Sequence, residues 1–213
     1  WLKEHLGDPD LVVLDATVLV KQDGAGNLIS KNGRANYDAG HIPTAGFVDL
    51  MGDVSDPDSP LQFGMPSPER FGAAMGALGV GDDSRVVLYD ATGSSWAARV
   101  WWMLRWIGFD RAALLDGGLN AWTAAGGELS TEPAARPAST LTVNLRPELI
   151  ADQEDVRASI DDEAVNLVDS LPAVHYRGEW TMYSRPGHIP GAVNIHDIFT
   201  FLAMSSKEGL EEL

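Results

Sequence analysis

The chain carries five histidines, 31 acidic residues and no cysteine, and that inventory limits its chemistry. Without a thiol there is no disulfide, no Cys-ligated zinc and no sulfur nucleophile on these residues. The histidines show no metal-ligand spacing, so no metal is expected. The carboxylates with the most chemical promise end apolar runs. Asp15 follows Leu11-Val12-Val13-Leu14, Asp90 follows Arg85-Val86-Val87-Leu88-Tyr89, and Asp169 follows Asn166-Leu167-Val168. Asp90 precedes the small-residue loop Ala91-Thr92-Gly93-Ser94-Ser95 and then a strongly apolar helix. A carboxylate there can accept the free N–H groups of the loop and helix start, as a cap.

Those positions need strands and helices around them. Leu11–Asp15, Gly46–Leu50, Arg85–Asp90 and Ala112–Asp116 read as buried parallel strands. Ser67 caps a helix with Pro68 at its first position, and Gly79 stops it. Helices are also expected over Trp96–Ile107 and Leu119–Ala125, ended by Gly108 and Gly126. Residues 21–36 and 52–68 read as loops. Alternating strand and helix predict an α/β parallel sheet with helices on both faces. Residues 131–147, with Pro133, Pro137 and Pro147, read as a connection with an extended stretch at Leu141–Leu145. A helix is expected over Pro147–Ile160, and strands at Asn166–Asp169 and Ala192–Ile195.

A pattern occurs twice. Val13-Leu14-Asp15 leads to Tyr37 and Gly40-His41-Ile42-Pro43-Thr44-Ala45. Leu167-Val168-Asp169 leads to Tyr183 and Gly187-His188-Ile189-Pro190-Gly191-Ala192. The offset is 154 residues at the Asp and 147 at the His. This predicts a duplicated domain whose second copy is incomplete: 1–130 first domain, 131–147 linker, 148–213 the start of the second. The 147-residue offset carries the counterpart of Asp90 past Leu213, and an intact duplication would have about 280 residues.

The net charge of −16 disfavours phosphate backbones, so no nucleic-acid partner is expected. No apolar run is long enough for a membrane helix. The chain opens on Trp1, as a processed product would, and no secretory signal is visible. A cytoplasmic location is expected, with a periplasmic one left open.

With these motifs the sequence resembles the rhodanese (thiosulfate sulfurtransferase) family in its tandem form. Gly187-His188-Ile189-Pro190-Gly191-Ala192-Val193-Asn194 is similar to the family's signature, and Arg34, Tyr37 and Gly40–Pro43 to its first-domain counterpart. Ala97-Ala98-Arg99-Val100-Trp101-Trp102 and Leu115-Asp116-Gly117-Gly118 to Trp122 are similar to the stretches around its loop. The resemblance implies sulfur transfer from thiosulfate or 3-mercaptopyruvate to cyanide or a thiol, through a Cys persulfide in the second domain and without a cofactor. The Cys opens a loop whose N–H groups point inward. Asp90 holds that place in the first copy, which resembles the family's inactive domain; the nucleophile is expected after Leu213. The implied donor is a small anion, with Arg177, His175 and Trp96 as binding candidates. Asp15, Arg34, His41, Asp90, Arg99, Asp169 and His188 are expected to be structural. Arg99 should form an ion pair, and His41 and His188 should bond near Asp15 and Asp169. The remainder of the second domain is the expected partner, since a stub without its interior strand leaves unpaired backbone. The rival reading is a catalytically inactive rhodanese-like binding or regulatory module.

Overall fold

The structure, a computed structural model, describes residues 1–22, 28–181 and 184–196. The described residues divide into two compact units, one of residues 1–21 and 29–147 and one that takes in Gln22, Leu28 and the described residues of 148–196. In the first unit the order is α1 (Leu2–His5), β1 (Leu11–Asp15), β2 (Val18–Gln22), β3 (Leu28–Asn32), α2 (Arg34–Ala39), β4 (Gly46–Phe47), α3 (Pro68–Ala77), β5 (Arg85–Tyr89), α4 (Ser95–Trp106), β6 (Ala112–Leu114) and α5 (Gly118–Ala124). The main sheet has the order β4-β1-β5-β6, all parallel. β1 lies inside it, paired from Leu14↔Gly46 on one side and over Leu11↔Arg85 to Asp15↔Tyr89 on the other.

An interior parallel strand is covered on both faces, which is why β1 and β5 read as unbroken apolar runs. Alternate side chains serve opposite layers. Leu11, Val13, Val87 and Tyr89 join Leu2, Tyr37, Ile42, Ala45 and Trp122 in one core cluster. Val12, Leu14, Val86 and Leu88 are buried on the other side, and α4 packs on β5 and β6. α3 starts as its sequence requires: Ser67 Oγ accepts from Arg70 N at 3.2 Å, and Pro68 is its first residue.

The region 21–36, expected as loop, instead holds the end of β2, all of β3 and the start of α2. Among the described residues β2 and β3 pair only with each other, and Val20 and Ile29 stay exposed. Beyond Val18, which is buried, Val20, Lys21, Ile29 and Lys31 are exposed, so no apolar alternation over 21–36 betrays the hairpin. Five strands are shorter than expected: Arg85–Tyr89 by one residue, and Gly46–Phe47, Ala112–Leu114, Val168–Asp169 and Val193–Asn194 by two or three. The expected helix Pro147–Ile160 is a 3₁₀ turn, Pro147–Leu149, followed by α6 (Gln153–Ser159). Asp152 resets the start by accepting from Glu154 N and Asp155 N, while the Asp155 carboxylate accepts from Asp152 N. This is a reciprocal capping box.

The segment 131–147 is held along the first unit. Ser139 N donates to Gly76 O, Thr142 N to Asp82, Asn144 N to Ile107 O and Arg146 N to Trp106 O, at 2.7–2.9 Å. The close approach needs Gly76, where a Cβ would stand 2.6 Å from Ser139 O.

The second unit adds β7 (Val168–Asp169), α7 (Ala173–Tyr176) and β8 (Val193–Asn194). β7 and β8 pair in parallel at Val168↔Val193 and Asp169↔Asn194. These are the positions of Leu14↔Gly46 and Asp15↔Phe47 moved by the offsets of the sequence repeat. Smaller bonds repeat as well. Val48 N donates to Asp15 O at 2.8 Å, and Ile195 N to Asp169 O at 2.9 Å. Burial does not repeat: Ile42 is 0% exposed and its counterpart Ile189 45%, while Val48 is 1% and Ile195 47%. In the first unit β5 and α5 supply the missing cover. Among the described residues β7 pairs with β8 alone.

Candidate functional site

The chemistry-bearing loop of the first unit follows β5. Gly93 and Ser94 both take left-handed backbone, with φ of +100° and +71°. Their turn directs successive N–H groups inward, a concavity suited to an anion. The anion present is the chain's own. Asp90 is 1% exposed. Its Oδ1 accepts from Thr92 N at 2.7 Å and Ser94 N at 2.9 Å, and its Oδ2 from Trp96 N at 3.1 Å and Ala97 N at 3.0 Å. The last two are the second and third N–H groups of α4. Ser94, formally the residue before the helix, makes no side-chain cap bond, so Asp90 does that work from four residues upstream. The Asp90 main-chain O accepts from Leu119 N at 3.1 Å, and Ala91 N donates to Thr17 Oγ1. The loop is closed by a carboxylate that can hold hydrogen bonds and cannot carry sulfur.

Trp96 is half-buried, its ring 4.8 Å from Phe63. Arg99 does not form the expected ion pair: it donates to the Phe63 carbonyl and reaches the Met65 sulfur at 3.8 Å. α4 turns it toward the 59–65 loop, where no carboxylate stands within bonding distance.

Asp15 is buried, accepts from Thr17 N at 2.8 Å, and is pushed up from the ordinary carboxylate range chiefly by burial. Burial likewise pushes the neighbouring Tyr89 hydroxyl up. His41 is not bonded to Asp15. Its Nδ1 lies 2.8 Å from Tyr37 O and its Nε2 3.0 Å from Glu132 O, with the ring stacked on Tyr37 at 3.9 Å. The His follows Tyr37 by one helical turn, so its ring meets the helix end and the 131–147 segment before it can reach the strand. Arg34 is exposed, bonds Asp38 at 2.7 Å and lies over the Tyr37 ring.

In the second unit Asp169 Oδ1 accepts from Leu171 N at 2.9 Å, as Asp15 does from Thr17. His188 is bonded to Tyr176 O at 2.7 Å, not to Asp169, and stacks on Tyr176 at 3.6 Å. Tyr183, aligned above with Tyr37, lies outside the described residues. Tyr176 makes Tyr37's contacts: its hydroxyl donates to Ala192 O at 2.7 Å, as Tyr37's does to Ala45 O at 2.6 Å. The available signal was helix position, since Tyr37 and Tyr176 both sit in the short helix after the Asp. His175 is 5% exposed, edge-on to Trp180, with Nδ1 unbonded. Arg177 is exposed and pairs with Glu179 at 2.6 and 2.8 Å, which raises its pKa. Among the described residues no group of His, Asp or Glu could hold a metal ion.

Residues 1–125 match the model of the rhodanese-like domain. The chain belongs to the rhodanese family. It is 33% identical over 199 residues to the 3-mercaptopyruvate sulfurtransferase of Escherichia coli K12, covering 92% of this chain and 68% of that protein. It is 35% identical over 221 residues to the human 3-mercaptopyruvate sulfurtransferase, covering 100% of this chain and 71% of that protein. The solved 3-mercaptopyruvate sulfurtransferase of Escherichia coli superposes with a TM-score of 0.80 at 33% identity, covering 92% of this chain and 72% of that one. Within this rhodanese fold, the parallel four-stranded sheet holds the loop of the first unit, and no cysteine is present in it. No helix among the described residues is long and apolar enough to cross a membrane.

Proposed function

We propose that this chain supplies the non-catalytic first domain (1–130), the connection (131–147) and the opening part of the second domain (148–213) of a cytoplasmic sulfurtransferase. The observation that carries the reading is Asp90 filling the loop with its own carboxylate, while the second unit repeats the first up to β8. The nucleophile is then a Cys in the second copy's loop, beyond Leu213. Its thiolate attacks the outer sulfur of thiosulfate, the S–S bond breaks and sulfite leaves. With 3-mercaptopyruvate the C–S bond breaks and pyruvate leaves after protonation. Cyanide or a thiol then takes the outer sulfur of the persulfide, and the thiolate returns. Inward N–H groups at a helix start favour the thiolate.

In this reading Arg177 draws the anionic donor, trading its Glu179 partner for the ligand, and His175 backs the helix that carries it. Trp96 forms an apolar wall. Thiocyanate formation from each donor with cyanide tests the proposal. The 213 residues alone give none, and the same chain extended through its second domain turns over. Absence of turnover in the extended protein would refute the sulfurtransferase reading.

A further inference from the structure

Arg99 lies one turn into α4, beside the Asp90 loop, and nothing around it neutralises its charge. Its Nη2 donates to the Phe63 carbonyl, a neutral acceptor. Its Nε–H is buried and has no acceptor. None of the ion pairs formed by the described residues includes it. Burial disfavours its charged form. A desolvated guanidinium with an unfilled donor is costly and calls for an explanation. Nε and Nη2 form the side-on edge that matches two oxygens of an oxyanion or carboxylate. Here one corner of that edge is empty and the other is held by a carbonyl.

The carbonyl belongs to a strained residue. Phe63 has φ of +61°, left-handed backbone that a bulky side chain adopts only when its surroundings force it. Phe63 is the third residue of the Leu61–Gly64 turn, closed by Gly64 N donating to Leu61 O at 3.2 Å, and two side chains hold it there: Arg99 on its carbonyl and the Trp96 ring against its own, at 4.8 Å. The neighbouring N–H groups of Thr92, Ser94, Trp96 and Ala97 are already spent on Asp90.

We propose that Arg99 is an anion receptor: a small oxyanion or carboxylate takes its Nε–Nη2 edge, displaces the Phe63 carbonyl and lets Phe63 leave its strained backbone. The inference deepens the sulfurtransferase reading and rests on it only for the class of anion. The test uses the 213-residue chain with thiosulfate, sulfate or pyruvate against sodium chloride at matched ionic strength, read by thermal melting and by tryptophan fluorescence. A Trp96→Phe control isolates the Trp96 signal. The expected rise is about 4 °C at ten times the dissociation constant, with a change in Trp96 emission as Phe63 moves. Arg99→Gln abolishes both responses. Should that variant fail to fold, Arg99→Lys, which keeps the charge and lacks the two-pronged edge, at least halves the response. No difference between the oxyanions and chloride, or an equal response in the Arg99 variants, would overturn the proposal. Sulfur transfer by the extended protein is read separately, so the two proposals can fail independently.

Discussion

Replacing Asp90 with Ala removes one buried carboxylate and strands four backbone donors. Two of them, Ser94 N and Ala97 N, belong to buried residues, and the other two, Thr92 N and Trp96 N, to residues that reach solvent. A buried donor left unsatisfied costs about 1–3 kcal/mol, whereas a donor that can turn to water loses only about 1 kcal/mol. A lost helix cap alone costs about 1 kcal/mol. Water entering the vacated space offsets part of the sum, so the expected loss is about 3 kcal/mol. For a unit of this size that lowers the melting temperature by roughly 10 °C. Asp90→Asn fares little better, because its NH₂ group must face one pair of N–H donors. Asp90→Cys places a thiol under the same donors, which favour the thiolate. A single sulfur cannot span both pairs, so stability returns only in part, and more fully once the thiol ionises. Thermal melts of the four proteins, with a thiol titration of the Cys variant across pH, make the comparison. A melting temperature of Asp90→Ala within about 2 °C of the parent would refute the cap role.

Other consequences follow from single positions. Thr44 adopts φ of +70° where the second copy has Gly191 at +80°, so Thr44→Gly should raise stability by about 1 kcal/mol; a lower melting temperature would contradict that. Asp15 is held above its unfolded pKa by burial, so the native state keeps a proton that the unfolded state has released. Stability contributed by that proton is complete below the unfolded pKa and falls as pH rises toward the folded one. Asp15→Asn should flatten this slope, and parallel melting curves against pH for the two proteins would count against it. Gly76→Ala pushes a methyl into Ser139 O and should cost about 1–3 kcal/mol despite the better helix propensity, with faster amide exchange at Ser139 as the readout.

Much of this architecture is visible in the residues themselves. The unbroken apolar runs at β1 and β5 announce interior parallel strands, and the Ser67-Pro68 pair announces a helix start. The double Gly-His-Ile-Pro reveals the repeat, down to the register of β7 on β8. What escaped detection lacked a periodic signature. The β2–β3 hairpin leaves Val20 and Ile29 exposed and has no apolar alternation over 21–36. The capping box at Asp152 overrides an apparently continuous helix. The partners of His41 are main-chain carbonyls, and Arg99 holds a main-chain carbonyl and a Met sulfur instead of a carboxylate, none of which side-chain charge announces. At the site, Asp90 could be read as a cap from its place after β5, but the convergence of N–H groups depends on Ser94 taking a backbone conformation that a serine does not advertise.

Intact mass spectrometry after exposure to thiosulfate or 3-mercaptopyruvate tests most directly whether sulfur is carried outside these residues. The 213-residue chain should keep its mass unchanged, and the chain extended through its second domain should gain one sulfur atom, lost again on adding cyanide. A sulfur adduct on the 213 residues themselves, or none on the extended chain, would contradict the account.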